Sequence, residues 1–327
     1  MNNRRKLLVA LGAGTFTAPL ASFAQQPARV FRIGFLSSES ASGYRTRVEA
    51  LRAGLRGLGY EEGKNIIVEF RWAEAKHDRL PDLAADLVRL KVDVLVTHAT
   101  PGSLAAKRAT STIPIVAAVV ADPVDLGLVA SLARPTGNIT GSTYFSSEIA
   151  AKRLELLKDV MPRITQAAAF VNPDNPATGT IVNAMQRAAK SLNVVLQQFE
   201  ARRPSEFGGA FLAMAKRSVG AFVIVEDPMF LANAKGIADL AAKQRLPSIG
   251  FNELVEAGGL IGYAPNFLEM WRRAAYFVDR ILKGAKPSDL PIEQPTKFEM
   301  LINGKTAKAL GIKIPNSILV RADKVIE

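Results

Sequence analysis

The sequence contains no cysteine. No disulfide can brace the fold, which must rest on its own hydrophobic core. No thiol is available as a nucleophile or as a point of lipid attachment. Histidine is nearly as scarce. His77 and His98 are the two in 327 residues and lack metal-ligand spacing, so no metal site is expected and zinc catalysis has no ligand set. His98, near a strand end, can line a cleft, although a packed or surface histidine is the commoner arrangement. No basic run is interleaved with aromatics and no helix-turn-helix segment precedes the first strand, which argues against nucleic acid as a partner. Beyond residue 24 no stretch approaches the ~20 apolar residues a membrane span requires, so no stable membrane insertion is expected. Nucleotide fingerprints are missing too. Gly304-Lys305-Thr306 looks like the end of a phosphate loop, but Glu299 stands where its first glycine belongs. No cofactor and no catalytic residue is expected.

What is present begins with an export signal. Arg4, Arg5 and Lys6 form a positive head, Leu7 to Leu20 an apolar stretch, and Ser22-Phe23-Ala24 a cleavage site before Gln25. Residues 1–24 have the layout of a secretory signal peptide. They imply a periplasmic protein exported by the general secretory or the twin-arginine route. The formal charge is +12, but the basic residues are interleaved with acids, as in Arg45-Thr46-Arg47-Val48-Glu49, and read as a solvated basic surface. A hydrophobic content of 48% supports substantial cores and argues against disorder.

From residue 31 the chain alternates β-rich runs with helical patterns. Phe31–Ser37, Asn65–Ala73, Val92–Thr97, Ile113–Val120 and Ile139–Phe145 read as strands. Helices are expected between them, including one from about Ser103 and one through Leu126–Leu132. The second half repeats the pattern, with strands at Ala167–Asn172, Val194–Phe199, Ala221–Val225, Pro247–Phe251 and Leu260–Tyr263. Val92–Val96 aligns with Gly220–Ile224, and Ile113-Pro114-Ile115 with Leu246-Pro247-Ser248. A strong helix spans Asn266–Lys283, and a strand is expected near Lys297–Ile302. The grammar predicts an α/β protein of two Rossmann-like lobes with parallel sheets. The first lobe is expected over 30–142 plus 266–284, the second over 143–265 plus 285–327.

In such sheets ligands bind beyond the carboxyl ends of the strands. Those ends carry Ser37 and Ser38, then Thr100, Pro101, Gly102 and Ser103, then Asp122 in the first half. In the second they carry Asn172 and Asn175, Asp227 and Phe251. Each has an ordinary structural reading as a turn initiator or helix cap. Thr100–Ser103 stands out, because a helix N-terminus with free N–H groups and hydroxyls suits a carboxylate. Asp122 and Asp227 can receive an ammonium or hydroxyl.

The ordered segments "RIGFLS", "EGKNIIVEFRWAE", "DVLVTHATP", "STIPIVAAVVADPV", "GLVASLARPTGNITG", "KRLELLKDVMP", "NPDNP", "LPSIGF", "EAGGLIGYAPN" and "PIEQPTKFEMLINGKTAKALGI" resemble the ABC-transporter substrate-binding family that includes tryptophan- and tyrosine-binding receptors. The likeness covers nearly the whole chain after the leader. It implies a type I periplasmic-binding architecture, two lobes joined by three crossings that close on a small molecule at a hinge. An amino acid or another aromatic or carboxylate compound is the implied ligand. The family's ligand loops fall on Thr100-Pro101-Gly102, on Asp122-Pro123-Val124 and on Asn172-Pro173 with Asn175. Gly102 departs from the usual alanine, and Pro176 alters a usually small polar stretch. The implied partner is an ABC permease with its ATPase, served by a monomeric receptor. A periplasmic sensor feeding a membrane signalling receptor, and an enzyme on the same scaffold, are the competing functions.

Overall fold

Strands such as Val94–Thr97 and Ile115–Ala121 are apolar on both faces, and a strand of that kind needs cover on both sides of its sheet. The computed structural model, which describes residues 29–327, supplies that cover twice. The leader read over residues 1–24 lies outside the described residues.

In the first half, β1 (Phe31–Ser37), β2 (Ile66–Trp72), β3 (Val94–Thr97), β4 (Ile115–Ala121) and β5 (Ile139–Tyr144) form a parallel sheet in the order β2-β1-β3-β4-β5. In the second, β6 (Gln166–Val171), β7 (Val195–Glu200), β8 (Phe222–Ile224), β9 (Ser248–Gly250), β10 (Ile261–Pro265), β11 (Phe298–Asn303) and β12 (Lys324–Ile326) form a sheet in the order β12-β11-β10-β9-β8-β6-β7. The β10–β11 pair is antiparallel. The stretch β7-β6-β8-β9-β10 repeats the order of the first sheet. The two aligned sequence segments fall on β3 and β8, the equivalent central strands, so the repeat read from the sequence is a repeat of topology.

The helices are α1 (Ala41–Gly57), α2 (Leu80–Arg89), α3 (Ala99–Ala109), α4 (Ser146–Val160), α5 (Thr178–Ser191), α6 (Phe207–Lys216), α7 (Pro228–Ala232), α8 (Ala234–Lys243), α9 (Asn252–Glu256), α10 (Phe267–Leu282), α11 (Gly304–Leu310) and α12 (Asn316–Leu319). The long amphipathic α10 is capped by Asn266, whose side chain accepts from Glu269 N–H. It returns to the first lobe, where Trp271, Ala274, Phe277 and Val278 share a core with Phe35, Leu51 and Leu55. Its approach to α1 depends on Gly54. A Cβ there would lie 2.5 Å from the Arg272 carbonyl oxygen, so any side chain would force the helices apart.

The chain passes between the lobes after β5, after β10 and again before β11. The third passage runs beside the first, with Glu293 N–H donating to Gly141 O and Thr143 N–H to Glu293 O. Residues 285–292, expected with the second lobe, pack on the first instead. Leu290 and Ile292 are buried there, and Thr140 Oγ1 donates to the Leu290 carbonyl at 2.7 Å. The helix expected through Leu126–Leu132 is a set of turns. Gly127 takes a positive φ of 64°, and Lys107 Nζ occupies the carbonyls of Gly127 and Leu128 that a helix would have used. The apolar residues that suggest a helix, Leu128 and Val129, are buried individually in the first core.

Candidate ligand-binding site

A sheet with the order 2-1-3-4-5 has its switch point between strands 1 and 3, and ligands collect outside the carboxyl ends there. Both lobes place that point against the other. Between them lies a narrow cavity. The first lobe contributes Tyr44 and Arg47 from α1, His98 after β3, Ala99 and Thr100 from α3, Val119 and Ala121 from β4 and Tyr144 from β5. The second contributes Asn175, Glu226, Asp227, Pro228 and Leu231. Phe267 and Trp271 of α10 complete the wall.

One wall donates. Helix α3 begins at Ala99, four residues earlier than expected, with His98 at the cap position but no side-chain cap. The first backbone N–H groups of the helix therefore have no partner within it. Thr100 is 1% exposed and its hydroxyl has no partner among the described residues. Ala99 sits at φ 53°, a left-handed conformation that costs an alanine roughly 1–2 kcal/mol and is retained where the surroundings over-determine it.

The opposite wall accepts. Glu226 is buried, with Oε1 paired to Arg153 and Oε2 without a partner among the described residues. Arg153 is fixed in turn by donating to the carbonyls of Tyr263 and Ile224. Asp227 accepts Met229 N–H at 2.9 Å, capping α7, and Asn175 Nδ2 at 2.9 Å. Burial raises its pKa, against the opposing pull of the Asn175 hydrogen bond. Glu39, at the end of β1, is pushed up to about 8 by burial, then by the charges of Asp227 and Glu74.

The remaining surface is aromatic. His98 stacks on Tyr44 with centroids 4.4 Å apart, and its ring lies 5.2 Å from that of Trp271. Burial, with the Arg47 charge second, lowers the imidazole pKa to about 3, so the ring is neutral. The Arg47 guanidinium lies 4.9 Å from the Tyr44 centroid and reaches across the cleft to Glu253 of α9 at 2.7 Å.

Of the residues singled out in the sequence, Thr100, Asn175 and Asp227 line this cavity. Ser37 is one bond behind it, with its Oγ 2.9 Å from His98 Nε2. Ser38 and Ser103 are buried with hydroxyls lacking partners among the described residues, but neither is on the lining. Pro101 lines a separate groove with Leu104 and Arg108. Gly102 faces Thr97, where a Cβ would fall 2.5 Å from Oγ1. Asp122 accepts from the Ser146 and Ser147 hydroxyls at the first passage between lobes. Asn172 shapes its own loop, accepting Asp174 N–H and Thr178 Oγ1. Phe251 is wholly buried in the second core.

Sequence patterning misses Tyr44, Arg47, Tyr144, Glu226, Phe267 and Trp271. Arg47 groups by sequence with a solvated basic surface, yet its side chain is 7% exposed. Phe267 and Trp271 have the i, i+4 spacing of any buried helix face, and Glu226 stands next to Asp227 without a signal of its own.

The chain is similar in sequence and fold to known proteins. The tyrosine-binding protein of Clostridioides difficile is 27% identical over 261 residues, covering 79% of this chain and 74% of that protein. The structure of an ABC domain in complex with L-Trp from Streptococcus pneumonia superposes with a TM-score of 0.81 at 25% identity, covering 90% of this chain and all of that one. A conserved domain protein of Vibrio cholerae gives a TM-score of 0.84 at 26% identity, covering 91% of this chain and all of that one. The family described as ABC transporter substrate binding protein matches residues 34–326. The chain therefore belongs to the ABC transporter substrate-binding protein family, and is a solute receptor of an ABC transporter.

Proposed function

We propose that the solute is an amino acid with an aromatic side chain. The carrying observation is the polarity of the cavity. The unpartnered Thr100 hydroxyl, at the start of α3, shares the cavity with the unpartnered Glu226 Oε2 and with Asp227, whose oxygens already accept from Met229 N–H and Asn175 Nδ2, and Tyr44, Trp271 and Phe267 line the same cavity. A zwitterion with a flat apolar side chain matches all three regions, with its carboxylate at the helix N-terminus and its ammonium at the acidic wall. The names of the tyrosine-binding relative and the L-Trp complex point the same way.

The receptor works without covalent chemistry. Because donors and acceptors belong to different lobes, one ligand satisfies both only when the lobes are together, so occupancy favours the closed form. The closed, loaded monomer then serves the permease and its ATPase from the periplasm, to which the basic head and apolar stretch of the leader direct it.

Calorimetric titration with L-tryptophan, L-tyrosine and 4-hydroxybenzoate tests this reading. Saturable binding of either amino acid, with the ammonium-free acid at least tenfold weaker, is expected. Binding of the acid alone overturns it. Thr100→Ala should weaken amino-acid binding by roughly ten- to a hundredfold, since a hydrogen bond to a charged group contributes about 1.5–3 kcal/mol. If Thr100 serves only the helix, that variant loses about 1 kcal/mol of stability and keeps its affinity.

A further inference from the structure

His98 stands at the centre of the donating wall, and its protonation pattern decides what it offers. Tyr44 and Trp271 fix the plane of the ring. Nε2 lies 2.9 Å from Ser37 Oγ, while Nδ1 has no partner among the described residues on a side chain that lines the cavity. A neutral imidazole carries a single proton, on one nitrogen or the other. Ser37 settles which. Its side chain is wholly buried, and its oxygen already accepts the Glu39 N–H at 3.1 Å. Its own proton needs an acceptor, and among the described residues His98 Nε2 is the one within reach. The hydroxyl therefore donates to Nε2, and the imidazole proton sits on Nδ1.

We propose that Ser37 holds His98 in its Nδ1–H form, so that His98 presents an uncharged donor to the ligand's carboxylate and is a specificity-determining residue of the cavity. Ser37 acts through it as a positioning residue. The carboxylate assignment rests on the amino-acid reading above; the tautomer does not. The arrangement rejects as well as attracts. A molecule that turns an N–H or an ammonium toward this edge meets Nδ1–H and the first N–H groups of α3 and leaves those donors unpaired, although the Thr100 hydroxyl can accept as well as donate. Selection at this end then draws on the direction of one proton beside the Arg47 guanidinium, which lines the same cavity.

Two histidines in the whole chain make the test clean. The full chain is labelled with ¹⁵N-histidine, and His77→Gln assigns the two rings. In long-range ¹H–¹⁵N correlation spectra of the ligand-free protein, His98 Nδ1 should be the protonated nitrogen and Nε2 the bare one. Ser37→Ala should remove that preference. Saturating L-tryptophan should move the Nδ1–H resonance downfield, and tryptamine, which lacks the carboxylate, should bind at least tenfold more weakly. An Nε2–H form in the ligand-free wild type overturns the proposal, as does an Nδ1–H resonance that bound L-tryptophan leaves unmoved. Failure to bind any amino acid overturns the amino-acid reading and the carboxylate assignment, while the ligand-free spectrum still decides the tautomer.

Discussion

Two arginines reach glutamates near the cavity, and they do opposite work. Arg153 and Glu226 both belong to the second lobe, and their side chains are 0% and 4% exposed. Arg47 and Glu253 are 206 residues apart on different lobes, and their side chains are 7% and 29% exposed. The first pair lies inside one rigid body, and its arginine also donates to two backbone carbonyls. It can open only if that lobe unfolds. The second pair spans the cleft and has water at one end. It can break whenever the lobes part, at the modest cost of a partly solvated ion pair. The contrast separates a charge built into the architecture from a charge used for closure. It also accounts for the free oxygen of Glu226: a carboxylate held by Arg153 through one oxygen can offer the other to a ligand without a buried charge left alone.

The largest predicted effect follows from the inner pair. Arg153→Ala leaves Glu226 buried without its cation, and breaking such a pair costs about 3–5 kcal/mol. Urea denaturation should show that loss. Arg153→Met combined with Glu226→Gln should recover most of it, while amino-acid binding stays impaired because the acceptor wall has changed.

Arg47→Ala or Glu253→Gln should do the reverse. Stability of the unliganded protein should change by less than about 1 kcal/mol. Affinity should fall roughly tenfold, mostly through faster dissociation, as expected when a contact that holds the closed form is removed. Stopped-flow release kinetics would read this. Equal stability losses at the two pairs would erase the distinction drawn between them.

The smallest effect concerns pH. Glu39 ionises near 4.5 when unfolded and near 8 in the fold, so the folded state holds an extra proton and stability falls as pH rises through that window. His98 runs oppositely. Its pKa drops from 6.5 to about 3, so stability is present above 6.5 and is lost as pH falls toward 3. Between 4.5 and 6.5 the two slopes oppose. From 6.5 to 8 Glu39 acts alone of the two, and Tm should decline by a few degrees, an effect that Glu39→Gln should abolish. Differential scanning across pH 4–9 with wild type and variant would show whether that decline belongs to Glu39.

The two arginines also mark how far the amino-acid sequence alone is legible. The strands are legible because period and apolar content agree: β1 spans Phe31–Ser37 as expected, and α10 lies within one residue of its expected bounds at each end. Thr100 and Asp227 are legible because they follow strands at a topological switch, a local relation in sequence. The inner walls are not. Trp271 carries no signal of its own, because burial on a cavity has the same periodicity as burial in a core. Arg47 reads as surface because its partner is 206 residues away. The false helix at Leu126–Leu132 comes from apolar residues that are buried one by one, with Lys107 holding the backbone out of helical pairing.

The central claim is that one zwitterion bridges the donor wall of the first lobe and the acceptor wall of the second. A crystal structure of the chain with L-tryptophan or L-tyrosine tests it most directly. The account predicts the carboxylate on Thr100 and the start of α3, the ammonium on Glu226 and Asp227, and the ring between Tyr44 and Trp271. An amino acid bound the other way round, or anywhere outside this cavity, would contradict it.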